Sequence, residues 1–218
     1  MNPRLLQLVS PALPVGAYSY SQGLESAIDS GTVHDAASAG RWIGDVLELS
    51  VANLEAPILL RLLRAWGEGD ARAAARWNDE LIASREAAEL RAETLQMGYS
   101  LRRLLLELDV GDAALDAIEE LSYPAAFAFA AVAWDIDERE ALAAYLFAWI
   151  ENQVLSAVKT VPLGQTQGQR MLMALGARIA GVVEHAAALG DGDLCSFAPG
   201  FAIACARHET QYSRLFRS

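Results

Sequence analysis

A chain of 218 residues, 53% of them hydrophobic, is long enough to bury one core without disulfide staples. Its formal net charge of −11 excludes a nucleic-acid binder, because neutralising phosphates needs a surplus of Lys and Arg. Two cysteines exclude a disulfide scaffold, and free thiols suit a reducing compartment, so a cytoplasmic protein is expected.

Near its start the chain reads SPALPVGAYSYSQGLE (10–25), in which Pro11 and Pro14 fix two backbone angles and Gly16 frees one: a stiff turn. The same prolines break the short apolar run after Arg4, so no signal peptide is expected. Ser19 or Ser21 then caps a helix containing Leu24 and Ile28. Asp35 reads as the N-cap of a helix whose apolar face includes Ile43, Val46, Leu47 and Leu54. Pro57 predicts a kink or a new helix, and Gly67 and Gly69 close the segment. Asp70 starts a pair of helices carrying Leu81, Leu90, Leu101, Leu104 and Leu108. Gly111 and Asp112 make a turn, and a short acidic helix ends before Tyr123–Pro124.

Asp137 caps a strongly apolar helix that runs to about Val158, where Pro162, Leu163 and Gly164 break it. A further helix covers 165–189 and ends at Gly190–Asp191–Gly192, and Pro199 opens a last short one. The apolar runs 125–134 and 141–150 are shorter than the roughly 20 residues that span a bilayer, so no membrane partner is expected. Strand alternation bounded by hairpin turns is missing. The expectation is an all-α, multi-helix single domain over 1–218, with a docking segment at 1–20 and a basic tail at 207–218.

Known catalytic patterns do not fit. SYSQG (19–23) is a near miss to the nucleophile elbow, with Ser19 at the first glycine and no sheet to carry it. No glycine precedes a Lys-Ser or Lys-Thr pair, so a phosphate loop is missing. His34, His185 and His208 are scattered and neither Cys195 nor Cys205 belongs to a CxxC pair; the histidines read as surface or capping residues, with no metal site. Tyr18, Tyr20 and Gln22 crowd beside the stiff turn, a cluster suited to an interface.

Two later stretches carry polar signals. Glu151, Asn152 and Gln153 interrupt an aromatic-rich helix, and Asn152, Ser156 and Lys159, the only lysine, fall on one helical face. That face is either a hydrogen-bonded network holding the VPLGQ turn or a contact for a partner or ion. The tail combines Arg207, Arg214 and Arg217 with Tyr212, Leu215 and Phe216, the residue types of binding hot spots.

SPALPVGAYSYSQGLE, ENQVLSAVKTVPLGQTQGQRML and HETQYSRLFRS together resemble the urease accessory protein UreF family, in family order and over essentially the whole chain. Tyr18 stands where phenylalanine is expected, which adds a hydroxyl. The resemblance implies a helical, typically dimeric scaffold, not an enzyme, with no cofactor or metal site of its own. It implies action with UreD (called UreH in some systems) and the GTPase UreG on apo-urease, during nickel insertion and carbamylation of the urease lysine. By position it assigns partner contacts to Pro14, Gly16, Tyr18, Ser19, Tyr20 and Glu25, to Asn152, Lys159 and Gln165, and to Tyr212, Arg214, Leu215 and Phe216. Pro162 and Gly164 match as structural positions. The Tyr18–Tyr20 region is expected to contact UreG. The tail is expected to be mobile in isolation and to order against UreD. A free-standing nickel carrier and a helical hydrolase using Ser19 or Ser21 with a histidine are the competing readings.

Overall fold

The computed structural model describes residues 2–218, and every regular element among them is helical. The first helices are α1 (Pro3–Leu8), α2 (Leu24–Asp29), α3 (Ala36–Val46) and α4 (Ala56–Gly67). Then come α5 (Ala71–Ala83), α6 (Ala88–Glu107), α7 (Ala113–Asp116) and α8 (Tyr123–Ala133). The remainder are α9 (Glu138–Thr160), α10 (Gln165–Gly176), α11 (Ile179–Ala188) and α12 (Pro199–His208).

Short polar side chains set several of the starts. Asp35 accepts the Ser38 amide at 2.7 Å while its own amide donates to Ser38 Oγ at 3.0 Å, a closed capping box at α3. Asp70 caps α5 through the Ala73 amide at 2.9 Å, and Asp137 caps α9 through the Arg139 and Glu140 amides. Pro199 occupies the first position of α12, where its missing N–H costs nothing.

Helix α8 is apolar all round, the pattern of a fully surrounded helix, and Pro124 through Ala131 are all buried. It packs against α4 on one side and α6 on the other. Trp66 of α4 donates to the Ala125 carbonyl at 3.2 Å and meets Phe129 edge-on, centroids 5.2 Å apart. Helix α4 also touches α5, α9 and α11, and α9 carries α2, α3 and α10 on its flanks. The stretches Glu138–Thr160 and Gln165–Ala188 are, contrary to the reading of shorter runs, long and apolar enough in composition to cross a membrane. In the fold, α9 instead turns Leu142, Tyr145, Leu146, Ile150 and Val154 into the core.

Pro57 lies in the first turn of α4, where a kink or a new helix is expected, but the form of the junction is not the expected one: α3 runs into α4 through a π-helical stretch, Leu47–Glu55, that widens the ladder. Proline lacks the N–H that would bond the carbonyl four residues back. That carbonyl, on Asn53, accepts the Cys195 amide at 3.2 Å instead. The widened turn leaves Glu55 in the core. The expected helix over 165–189 divides at Ala177–Arg178, where the Arg178 guanidinium bonds Glu48 at 3.0 Å.

Candidate functional site

The three stretches that carry the family resemblance meet in one place. The backbone from Ser19 to Glu25 forms a cradle for the tail. Ser19 accepts the Arg217 amide at 2.8 Å. The Ser218 carbonyl takes the Ser21 amide at 2.7 Å, the Gln22 amide at 3.1 Å and the Ser21 hydroxyl at 2.6 Å. Glu25 accepts the Leu215 amide at 2.6 Å and the Phe216 amide at 2.9 Å. From α9, Asn152 donates to the Tyr20 carbonyl at 3.0 Å, and Trp149 donates to Gln22 Oε1 at 2.8 Å. The Lys159 ammonium sits 5.7 Å from the centre of the Phe216 ring, a cation–π contact worth about 0.5–1 kcal/mol.

Local geometry explains the sequence of the cradle. Gly23, with φ +74°, precedes α2, and a Cβ there would lie 2.9 Å from Cys205 Sγ and 3.0 Å from its amide. Only glycine therefore allows this approach of α2 to α12. Gly16, with φ +80°, provides the left-handed turn expected there. Gln22 holds φ +51° without being glycine, a conformation kept by its bonds to Ser218, Trp149 and Glu93.

Beneath the cradle lies a buried polar cluster. Glu55 pairs with Arg85 and accepts the Tyr145 hydroxyl at 2.6 Å. Glu93 accepts Gln22 Nε2 and the Ser218 hydroxyl, each at 2.7 Å. Burial works against the Arg85 charge, but the neighbouring Glu55 raises its pKa overall. Burial also pushes the Glu93 carboxyl up to about 7, against the opposing pull of its Ser218 and Gln22 bonds. Burial first, then Glu55, raises Tyr145 well above the ordinary phenol value. These groups border a cavity of about 70 Å³.

The predicted site residues divide between cradle and surface. Glu25, Asn152, Phe216 and Arg214 are bonded within the chain, and Arg214 reaches Glu89 at 2.6 Å. Tyr20 is 5% exposed, so its ring belongs to the core and is not presented for docking. Pro14, Tyr18, Lys159, Gln165, Tyr212 and Leu215 are exposed, as are Pro162 and Gly164 in the turn after α9.

The tail is not free: Phe216 and Ser218 are buried, and burial of a Phe side chain stabilises by about 1.5–3 kcal/mol. The expected cap of α2 is Gly23 rather than Ser19 or Ser21, although Ser21 Oγ does accept the Glu25 amide at 3.3 Å. Ser21 is 1% exposed and its hydroxyl is committed to Ser218, which removes it as a nucleophile.

His208, expected as a surface or capping residue, stands at the end of α12, and the structure buries it completely. Glu55, Arg85, Glu89 and Glu93 were missed, because no local pattern marks charged residues that pair across 30 to 125 positions.

The UreF family model matches residues 33–176. A protein of Azoarcus sp. (strain BH72), named urease accessory protein UreF, is 58% identical over 99% of this chain and 94% of its own length. Proteins with the same name from Dechloromonas aromatica and Methylobacillus flagellatus are 53% and 52% identical over 99% of this chain, each matched over 96% of its length. With both the family match and this near-complete coverage, the chain belongs to the UreF family of urease accessory proteins.

Proposed function

We propose that this chain serves urease maturation in the cytoplasm as a non-catalytic adaptor, a homodimer that bridges UreD and the GTPase UreG on apo-urease and regulates nickel insertion. Relatives spanning nearly the whole chain bear the accessory-protein name, which supports the maturation role. The bridging role rests on one structural observation: apolar side chains stand out from segments that are themselves rigidly held. Tyr18 is 64% exposed on the turn after Gly16, Leu215 is 66% exposed on the docked tail, and Tyr212 is fully exposed. Aromatic and aliphatic anchors on an ordered backbone lose little entropy when a partner covers them. Arg207, Arg214 and Arg217 add positive charge beside them on an acidic protein, which favours an acidic partner face.

In this reading the tail face receives UreD, and the Tyr18 turn with Lys159 and Gln165 receives UreG. Tyr212→Ala, a change at a side chain with no packing to lose, weakens UreD capture and spares UreG, as read by co-purification from defined mixtures. Equal capture of UreD by the variant and the unaltered chain would remove the tail face from the interface. Equilibrium dialysis with nickel separates the carrier reading, since an adaptor alone holds the ion weakly.

A further inference from the structure

Helices α3 and α10 pack against each other and leave between them an open groove of about 500 Å³. Small and apolar groups make its floor: Ala37 and Gly40 on α3, with Met171, Ala174 and Leu175 on α10. The helices close at Gly40, where a Cβ would stand 3.8 Å from Met171 Cγ. Apart from Arg41, α3 offers the groove nothing larger than a methyl group, so the trough stays unfilled.

Three guanidinium groups border that floor. Arg41 of α3 and Arg170 of α10 are exposed, and Arg178 joins them from the junction of α10 with α11. Arg178 is fixed: it bonds Glu48 at 3.0 Å and lies against α3 where Gly44 leaves room, since a Cβ there would come 2.5 Å from Nη1. Among the described residues Arg41 and Arg170 have no ion-pair partner, and no acidic side chain lines the groove. On a chain of net charge −11 this is a local positive field that draws negative groups toward it.

We propose that the groove between α3 and α10 is a docking site for an acidic helical segment of a partner protein. Gln167, Arg170, Ala174 and Arg178 follow one another at steps of three, four and four, so they form one row along the groove. That row is about 16 Å long, the length of three helical turns. A partner helix with carboxylates one turn apart can lay small or apolar side chains on the alanine floor and pair its charges with the guanidinium groups, which match carboxylates in a two-pronged geometry. A lone phosphate would leave that floor uncovered. The inference is independent of the tail face and the Tyr18 turn and holds whichever proteins occupy them.

The test is fluorescence anisotropy of the full chain with a labelled helical peptide of Glu, Ala and Leu, its glutamates one turn apart, beside the same peptide with Gln for Glu. The acidic peptide binds about tenfold or more tighter than the Gln peptide, and Arg41→Glu with Arg170→Glu removes that advantage. Arg72→Glu with Arg103→Glu, at exposed arginines of α5 and α6, changes the net charge equally and costs less than about twofold. Ala174→Leu keeps all three arginines but fills the floor, and it also weakens binding by about tenfold. Circular dichroism checks that each variant keeps its helices. Equal losses in the two charge-reversed pairs, a Gln peptide that binds as tightly, or unchanged binding by Ala174→Leu overturns the proposal. Two results would assign the groove to another occupant and also overturn it. One is displacement of the peptide by inorganic phosphate beyond that by chloride at matched ionic strength. The other is a lower oligomeric state of Arg41→Glu with Arg170→Glu in light scattering, which would mark a second copy of the chain as the occupant.

Discussion

Replacing Arg85 with Met removes the positive partner of Glu55 while keeping most of the side-chain bulk. Glu55 is 5% exposed, and its remaining neighbour in the cluster is the Tyr145 hydroxyl at 2.6 Å. A carboxylate left buried without its cation costs about 3–5 kcal/mol, and for a chain of this size the corresponding fall in Tm is about 10 °C. The double change Glu55→Gln with Arg85→Met removes both charges, and Tyr145 can still donate to the introduced amide, so its cost stays within about 1.5 kcal/mol. Urea unfolding at pH 7, followed by circular dichroism, reads both variants. An Arg85→Met protein within 1 kcal/mol of the unaltered one, or a double variant worse than the single, would refute the reasoning that pairing holds these charges in the core.

Three further outcomes follow from the cradle. Glu93 has a folded pKa of about 7 against an ordinary value of 4.5, so the stability it contributes is complete below pH 4.5 and lost as pH rises through 7. The difference is about 3 kcal/mol; Glu93→Gln flattens that part of the stability–pH curve, and a curve identical to the unaltered protein's would count against a buried Glu93. Gly23→Ala combines a strained φ with a clash at Cys205 and destabilises by about 1–3 kcal/mol in thermal unfolding, whereas a neutral result would mean α2 and α12 are not in such close approach. Lys159→Ala changes stability by about 1 kcal/mol or less, because its contact with Phe216 is exposed to solvent on the lysine side, and it lowers urease activation; full activation would remove Lys159 from the interface.

Local chemistry made much of the helical frame legible. Asp35, Asp70 and Asp137 are followed by helices because their carboxylates satisfy amides two or three residues on, and that signal is written in adjacent sequence. Pro57 was legible as an interruption but not as a π-helical stretch, because the carbonyl it frees is satisfied by Cys195, far along the chain. The split between α10 and α11 follows no proline and depends on where Arg178 finds Glu48.

For the site, the three stretches were visible as motifs and their convergence was not. His208 looks like an ordinary helix-ending histidine in sequence, and its carboxylate neighbours stand 119 and 183 positions away. The tail's mixture of Arg and aromatic residues suggested a segment waiting for a partner. Part of that mixture, Phe216 with Arg214, is occupied within the chain, while Tyr212 and Leu215 remain outward beside the exposed Arg207 and Arg217.

The adaptor role is tested most directly by mixing purified UreD, UreG and apo-urease with and without this chain, and resolving the species by size exclusion with light scattering. The account predicts that UreD and UreG enter one particle with apo-urease only when the chain is present, with two copies of it per assembled unit. A particle holding UreD, UreG and apo-urease that forms equally well in its absence would contradict the claim.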